Sequence, residues 1–285
     1  MTNSPDCIDM KELADIMEEV KAVAKDAGAF IREQRESFDL SRVEAKGAHD
    51  YVSYVDKETE KLIVSRLKQI VPEAGFITEE GTASNPSNLP NPSNLSGTGE
   101  LTWIVDPLDG TSNFVHDMAP YCVAIALKSG DEIVLGVVYE VVGDELFYTC
   151  KGEKSYKNGK EIHVGQAKVV NEAFICIGYP YNVEAWKPKV KGLVDELYGN
   201  SISIRNLGSA ETELCYVACG RFDAYIESYV KPWDVSAGGI ILMNAGGCVT
   251  DYEGGKKWMT GEETLATNGF IHDELLTKLK DILTD

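Results

Sequence analysis

W-I-V-D-P-L-D-G-T-S-N-F, Trp103 to Phe114, runs three apolar residues into an acid, a proline and a second acid followed by Gly-Thr. Burying one carboxylate is costly, and crowding two together is costlier unless positive charge sits between them. Pro107 fixes the turn so that Asp106 and Asp109 can face one point. Gly110 lets the backbone approach a ligand closely, and the N–H groups of Gly110 and Thr111 can bind an anion. Two more acids stand where a strand or loop ends: Glu79 after G-F-I-T and Asp234 in K-P-W-D-V-S-A-G. All-oxygen donors suit a hard cation, and Mg²⁺ typically takes a few carboxylates plus substrate phosphate. In that reading Asp106 bridges two metals, with Glu79 on one side and Asp109 with Asp234 on the other.

Each acid also has an ordinary structural role open to it. D-P-x-D-G-T is a fair turn, with Asp109-Gly110 a common turn pair. Asp234 can simply cap its helix. Taken together, the four acids favour catalysis. The haloacid dehalogenase signature, D-x-D-G-T, is excluded because the spacing here is D-x-x-D-G-T. G-x-G-x-x-G and G-x-x-x-x-G-K-[ST] are absent, and the histidines show no metal-ligand spacing. Trp103 and Trp233 read as core anchors.

Outward from the motif, apolar spacing predicts a helix over residues 9–37. A polar segment that then alternates follows over 41–56. A second helix, with Asp56 as N-cap, runs until Pro72. A-G-F-I-T reads as a short strand. Residues 81–100 repeat P-S-N-L and read as a low-complexity surface loop without catalytic residues. Strands are expected over 101–105, 121–128, 132–140 and 145–150, the last three as an antiparallel meander. The second half alternates: strand 173–177, helix 187–198, strand 201–205, helix 210–219, strand 222–227, a helix from Asp234, strand 248–252 and a helix from Asp273. Meander followed by β/α alternation predicts an α/β (α+β) chain. Its two lobes, approximately 1–170 and 171–285, share a cleft within one body.

The chain has 285 residues, 44% of them hydrophobic and 26% charged, the balance of a globular protein. No apolar run approaches the roughly 20 residues a membrane span needs. M-T-N-S-P-D-C lacks the marks of a secretory signal. Seven cysteines without C-x-x-C read as reduced thiols in a cytoplasmic protein. A net charge of −19 argues against nucleic acid as a partner. It would also repel an anionic ligand, unless a bound divalent cation reversed the local potential.

The chain resembles the inositol monophosphatase family, within the Mg²⁺-dependent, Li⁺-sensitive phosphatases. The resemblance rests on the opening motif, F-I-T-E-E, G-S-A-E-T-E-L-C-Y-V-A-C-G-R-F-D-A-Y-I-E and K-P-W-D-V-S-A-G, in that order over roughly residues 10–270. It implies a layered α-β-α-β-α sandwich, like that shared with fructose-1,6-bisphosphatase, and a homodimer. It further implies that Glu79, Asp106 and the Leu108 carbonyl hold one Mg²⁺, that Asp106, Asp109 and Asp234 hold a second, and that a third sits near Glu79. Gly110 and Thr111 would hold phosphate. Asp56 would polarise Thr111, which with Glu79 would orient the attacking water. Gly208, Ser209, Ala210 and Glu227 would line the pocket for the alcohol, where an acid favours a polyol ester. The sequence departs from the family at Lys46, offset by one residue from the family's loop lysine, and in the Asn/Ser/Pro insertion at 83–99.

The expected activity is hydrolysis of inositol monophosphate or a similar small-molecule phosphate monoester. Alternatives are a fructose-1,6-bisphosphatase or another sugar or nucleotide phosphatase and, from a different class, a catalytically silent metal-binding regulator.

Overall fold

The computed structural model describes residues 10–39, 43–47, 50–82, 101–180, 183–260 and 263–284. The insertion at 83–99 lies outside them, as do Cys7 and His49.

Helix α1 (Met10–Glu36) buries Leu13, Val20, Val23, Ala27 and Ile31 on one stripe, as the helical spacing requires. The polar segment after it forms a hairpin, β1 (Val43–Gly47) with β2 (Asp50–Ser53). Its register shifts between Ala45 and Gly47, so Lys46 is the residue left over in the ladder. Helix α2 (Tyr54–Ile70) starts earlier than expected. Ser53, not Asp56, is the N-cap; Asp56 is the third helical residue and accepts from the Ser53 backbone N–H.

The first sheet has seven strands, and β3 (Gly75–Thr78) lies at one edge. Next come β4 (Leu101–Asp109), β5 (Cys122–Ser129), β6 (Glu132–Glu140) and β7 (Glu145–Cys150). Two short strands, β8 (Tyr156–Lys157) and β9 (Lys160–Glu161), complete it. From β4 onward successive strands pair antiparallel, the expected meander. Strand β4 runs past Val105 to Asp109 rather than stopping before the acids, and a one-turn helix α3 (Thr111–Val115) follows it.

The second sheet is five-stranded, in the order β11 (Ser203–Arg205), β10 (Phe174–Ile177), β12 (Ala224–Ser228), β14 (Glu263–Thr267), β13 (Cys248–Thr250). Strand β14, unexpected from the sequence, is the antiparallel partner of both β12 and β13. Three cores make five layers. α1 and α2 pack on the outer face of the first sheet. Helices α5 (Ala210–Ala218) and α6 (Pro232–Asn244) fill the space between the sheets. Helices α4 (Val183–Leu197) and α7 (His272–Thr284) cover the outer face of the second. The expected α-β-α-β-α sandwich is what the chain forms.

Side chains bridge the two halves. Arg221 meets Glu145 with two guanidinium nitrogens, each 2.5 Å from a carboxylate oxygen. The Ser155 hydroxyl donates to the Ile241 carbonyl at 2.6 Å. Trp103 is fully buried in the core beneath α1 and α2, and Trp233 is half-buried against the middle core. Of the histidines, His272 is buried between the Thr250 and Thr267 hydroxyls at 3.0 Å each and is a core residue. The six described cysteines are free thiols.

Candidate active site

The spacing of Asp106 and Asp109 poses a problem in strand geometry. Residues three apart in a regular strand point to opposite faces. Here Asp106 pairs with Ala124 and Asp109 with Cys122, so three steps along β4 match two along β5. The extra residue lies at Pro107 and Leu108, and this bulge turns both acids to the same side. Pro107 costs little there, because a bulge does not need its missing N–H.

Both acids are buried, at 2% and 8% exposure. Asp109 accepts from the Ser209 hydroxyl at 2.7 Å, the Glu211 N–H at 2.9 Å and the Ala210 N–H at 3.2 Å. Its carboxylate thus ties β4 to the start of α5, a hundred residues downstream. Burial pushes the Asp106 carboxyl well above the usual range, and the charges of Glu79, Asp109 and Asp234 push it further. Asp234 is raised in the same way, by burial and then by Glu79. Its helix, α6, starts at Pro232 rather than at Asp234, with Lys231 as N-cap; Asp234, the third residue of the helix, accepts from the Lys231 N–H at 2.5 Å and also faces the cleft described below.

Asp56 and Thr111 meet. The Thr111 hydroxyl lies 2.8 Å from Asp56 Oδ1 and 3.1 Å from the Leu108 carbonyl, and its single proton serves one at a time. Ser53 donates to the other Asp56 oxygen through its hydroxyl at 2.6 Å and its N–H at 2.9 Å. Asp56 has no exposed surface, and burial raises its pKa against those hydrogen bonds.

Two acids of the site were not singled out in the sequence. Glu60, fully buried one turn after Asp56, accepts from the Thr78 hydroxyl at 2.9 Å and the Glu80 N–H at 2.7 Å. It also takes the N–H and hydroxyl of Thr82, both at 2.6 Å. These bonds bracket Glu79 and hold the loop that carries it. Glu213 accepts from the N–H groups of Leu207 at 2.5 Å and Gly208 at 3.3 Å, and from the Cys176 thiol at 3.0 Å. It anchors the Gly208–Ala210 loop from beneath. The only signal for either was an acid on the buried face of an amphipathic helix.

A cleft of about 280 Å³ gathers Asp109, Gly110, Gly208, Ser209, Ala210, Glu227 and Asp234. Thr111, Asp56, Glu79 and Asp106 are not in its lining. Gly110 has φ 91°, and a Cβ there would meet the Pro120 and Gly208 carbonyls at 3.1 and 3.2 Å, so the crossing of the two loops requires glycine. Glu227 points into the cleft from β12, taking a hydrogen bond from the Tyr225 hydroxyl. Burial, with Glu213 nearby, pushes its carboxyl up to about 8; burial pushes Glu213 to about 7.

Asp106 and Asp234, both pushed up by neighbouring acids, and the other oxygen donors beside them fit a hard divalent cation in chemistry. Glu79, Asp106, the Leu108 carbonyl, Asp109 and Asp234 are the donors available. Among the described residues no three acidic, histidine or cysteine side chains are already gathered as a metal cluster.

The family model for the inositol monophosphatase family matches residues 12–284. The chain belongs to the inositol monophosphatase family. Inositol monophosphatase 2 of Solanum lycopersicum is 37% identical over 274 residues, covering 95% of this chain and 99% of that protein. Nus factor SuhB of Pasteurella multocida is 32% identical, covering 92% and 94%. Among solved structures, an IMPase from Thermotoga maritima superposes with a TM-score of 0.83 at 28% identity, over 95% of this chain and 98% of that one. The inositol monophosphatase family is one of metal-dependent phosphatases. Among the described residues no helix is long and apolar enough to cross a membrane.

Proposed function

We propose that the protein hydrolyses a polyol phosphate monoester of the inositol 1-phosphate type, with the bulge-paired acids of β4 at the centre of the site. The observation that carries this is the convergence of Asp109, Gly110 and Asp234 with Glu227 in one cleft. That convergence supports a reading in which phosphate is held at one end of the cleft and the alcohol's hydroxyls beside it.

Glu79, Asp106, the Leu108 carbonyl, Asp109 and Asp234 would hold two to three Mg²⁺ ions. Bound Mg²⁺ supplies positive charge against the phosphate oxygens and the leaving alkoxide, and acidifies water. The remaining work belongs to the chain. The Gly110 and Thr111 N–H groups bind a phosphate oxygen. Asp56, held by Ser53, accepts a hydrogen bond from the Thr111 hydroxyl, which leaves the Thr111 lone pairs free to accept from water. Thr111 and Glu79 then orient that water. Glu227 accepts from the hydroxyls of the alcohol, with Gly208, Ser209 and Ala210 lining the pocket beside it, and two lobes in one body share the cleft. The same reading carries lithium sensitivity, a homodimer and a cytoplasmic place of action.

The test is phosphate release, with Mg²⁺ and with chelator, from inositol 1-phosphate, fructose 1,6-bisphosphate, glycerol 2-phosphate and 3′-phosphoadenosine 5′-phosphate. Mg²⁺-dependent release favouring inositol 1-phosphate is expected. Preference for a bisphosphate would overturn the role given to Glu227. Failure on all four would favour a non-catalytic regulator, the reading suggested by relatives named Nus factor.

A further inference from the structure

Two tyrosines stand in the wall of the cleft and leave about half their surface exposed, Tyr179 at 54% and Tyr229 at 48%. Topology brings them there. Strands β10 and β12 are parallel neighbours, with Ile177 opposite Ile226. Tyr179 and Tyr229 follow the same ends of those strands, and the carboxyl ends of neighbouring parallel strands are where open α/β sheets bind ligands.

Tyr229 has φ 70°, the left-handed region that a bulky side chain rarely adopts and that glycine enters freely. Fold stability alone opposes a tyrosine there, and such outliers cluster at ligand-binding sites. The chain supports the ring in this position. Lys231 Nζ stands 4.2 Å from the Tyr229 ring centroid, and the Lys231 N–H donates to Asp234, so the tyrosine is linked to the acid end of the cleft.

We propose that Tyr179 and Tyr229 determine specificity by taking the carbon-bound face of a cyclic polyol while its hydroxyl edge meets Glu227. This rests on the phosphatase reading above. A six-membered polyol carries hydroxyls around its edge and C–H bonds on its faces. That match needs one polar group and one aromatic surface, the usual division of labour in a small-molecule pocket. About 280 Å³ is close to the lower end of such pockets, roughly 300 Å³. One ring with its phosphate suits that space better than a nucleoside.

The test compares kcat/KM for inositol 1-phosphate, which is cyclic, and glycerol 2-phosphate, which is acyclic. Wild type, Tyr229→Gly, Tyr229→Phe and Tyr179→Ala are assayed together. The cyclic-to-acyclic ratio is expected to fall about five-fold or more in Tyr229→Gly and Tyr179→Ala, mainly through KM, and to survive in Tyr229→Phe, which keeps the ring. Tyr229→Gly relieves the backbone, so its thermal midpoint should not drop, and a lost ratio is not a lost fold. An unmoved ratio in both truncations, with active wild type, overturns this inference alone. Loss in Tyr229→Phe equal to that in Tyr229→Gly overturns the ring-face contact. No release from either ester by wild type overturns the phosphatase reading and this inference with it.

Discussion

The Thr111 hydroxyl donates to Asp56 at 2.8 Å, joining the start of α3 to the first turn of α2 across 55 residues of sequence. With its proton directed to Asp56, the Thr111 oxygen has its lone pairs free to accept. Thr111→Val is expected to lower kcat by about a hundredfold or more, within the range for a lost proton-handling group. Thr111→Ser should keep most of it. Steady-state phosphate release checks both, and a fully active Thr111→Val would remove this pair from the mechanism.

Glu60 holds the loop around Glu79 through four hydrogen bonds. Glu60→Gln keeps the shape but replaces one acceptor oxygen by a donor, which faces N–H and O–H groups. Supporting groups of this kind typically alter metal affinity by 10–100-fold. The expected result is a Mg²⁺ half-saturation raised by about tenfold, with direct Mn²⁺ binding weakened in parallel. Unchanged binding would reduce Glu60 to a purely structural residue.

The four acids of the motifs were legible in the linear sequence because each closes an apolar run. What makes them a site was not. Proline and acids ordinarily end strands, so β4 appeared to stop at Val105, and the bulge that aligns Asp106 with Asp109 is visible only in its pairing with β5. Asp56 looked like an N-cap because Ser53, three residues earlier, offers the same chemistry. Glu60 and Glu213 were hidden because their partners lie on other elements, 18 residues or more away for Thr78 and Cys176. Strand β14 is five residues with no alternation, a pattern that helix and strand share.

Gly178 lies against Glu227. A Cβ there would fall 2.0 Å from the Glu227 carboxyl carbon, and the acid is the part able to move. Gly178→Ala should therefore swing Glu227 aside. The expected outcome is KM for inositol 1-phosphate raised by about tenfold with a stability loss within roughly 1 kcal/mol. Kinetics and urea unfolding measured together check it.

Stability should depend on pH in a defined direction. Burial raises Glu227 from 4.5 to about 8 and Glu213 from 4.5 to about 7. Between those limits the folded chain keeps protons that the unfolded chain has lost. Their contribution is complete below about pH 4.5 and is lost as pH rises through 7 and 8. Glu145 and Asp251 are lowered instead, so their own change falls below the usual carboxylate values and outside this window. In chelator, the urea midpoint is expected to fall between pH 6 and 8.5, with a shallower fall in Glu227→Gln. A midpoint that rises with pH would contradict the burial of these acids.

Asp106 is the acid whose carboxyl the charges of Glu79, Asp109 and Asp234 all raise, and Asp106→Asn is the decisive variant. The substitution removes a buried charge without changing shape, so the urea midpoint should hold or rise. Phosphate release from inositol 1-phosphate should require Mg²⁺ in the wild type and fall about a thousandfold in the variant. Near-normal release by Asp106→Asn, or wild-type release undiminished by chelator, would contradict a metal-dependent site built on the β4 bulge.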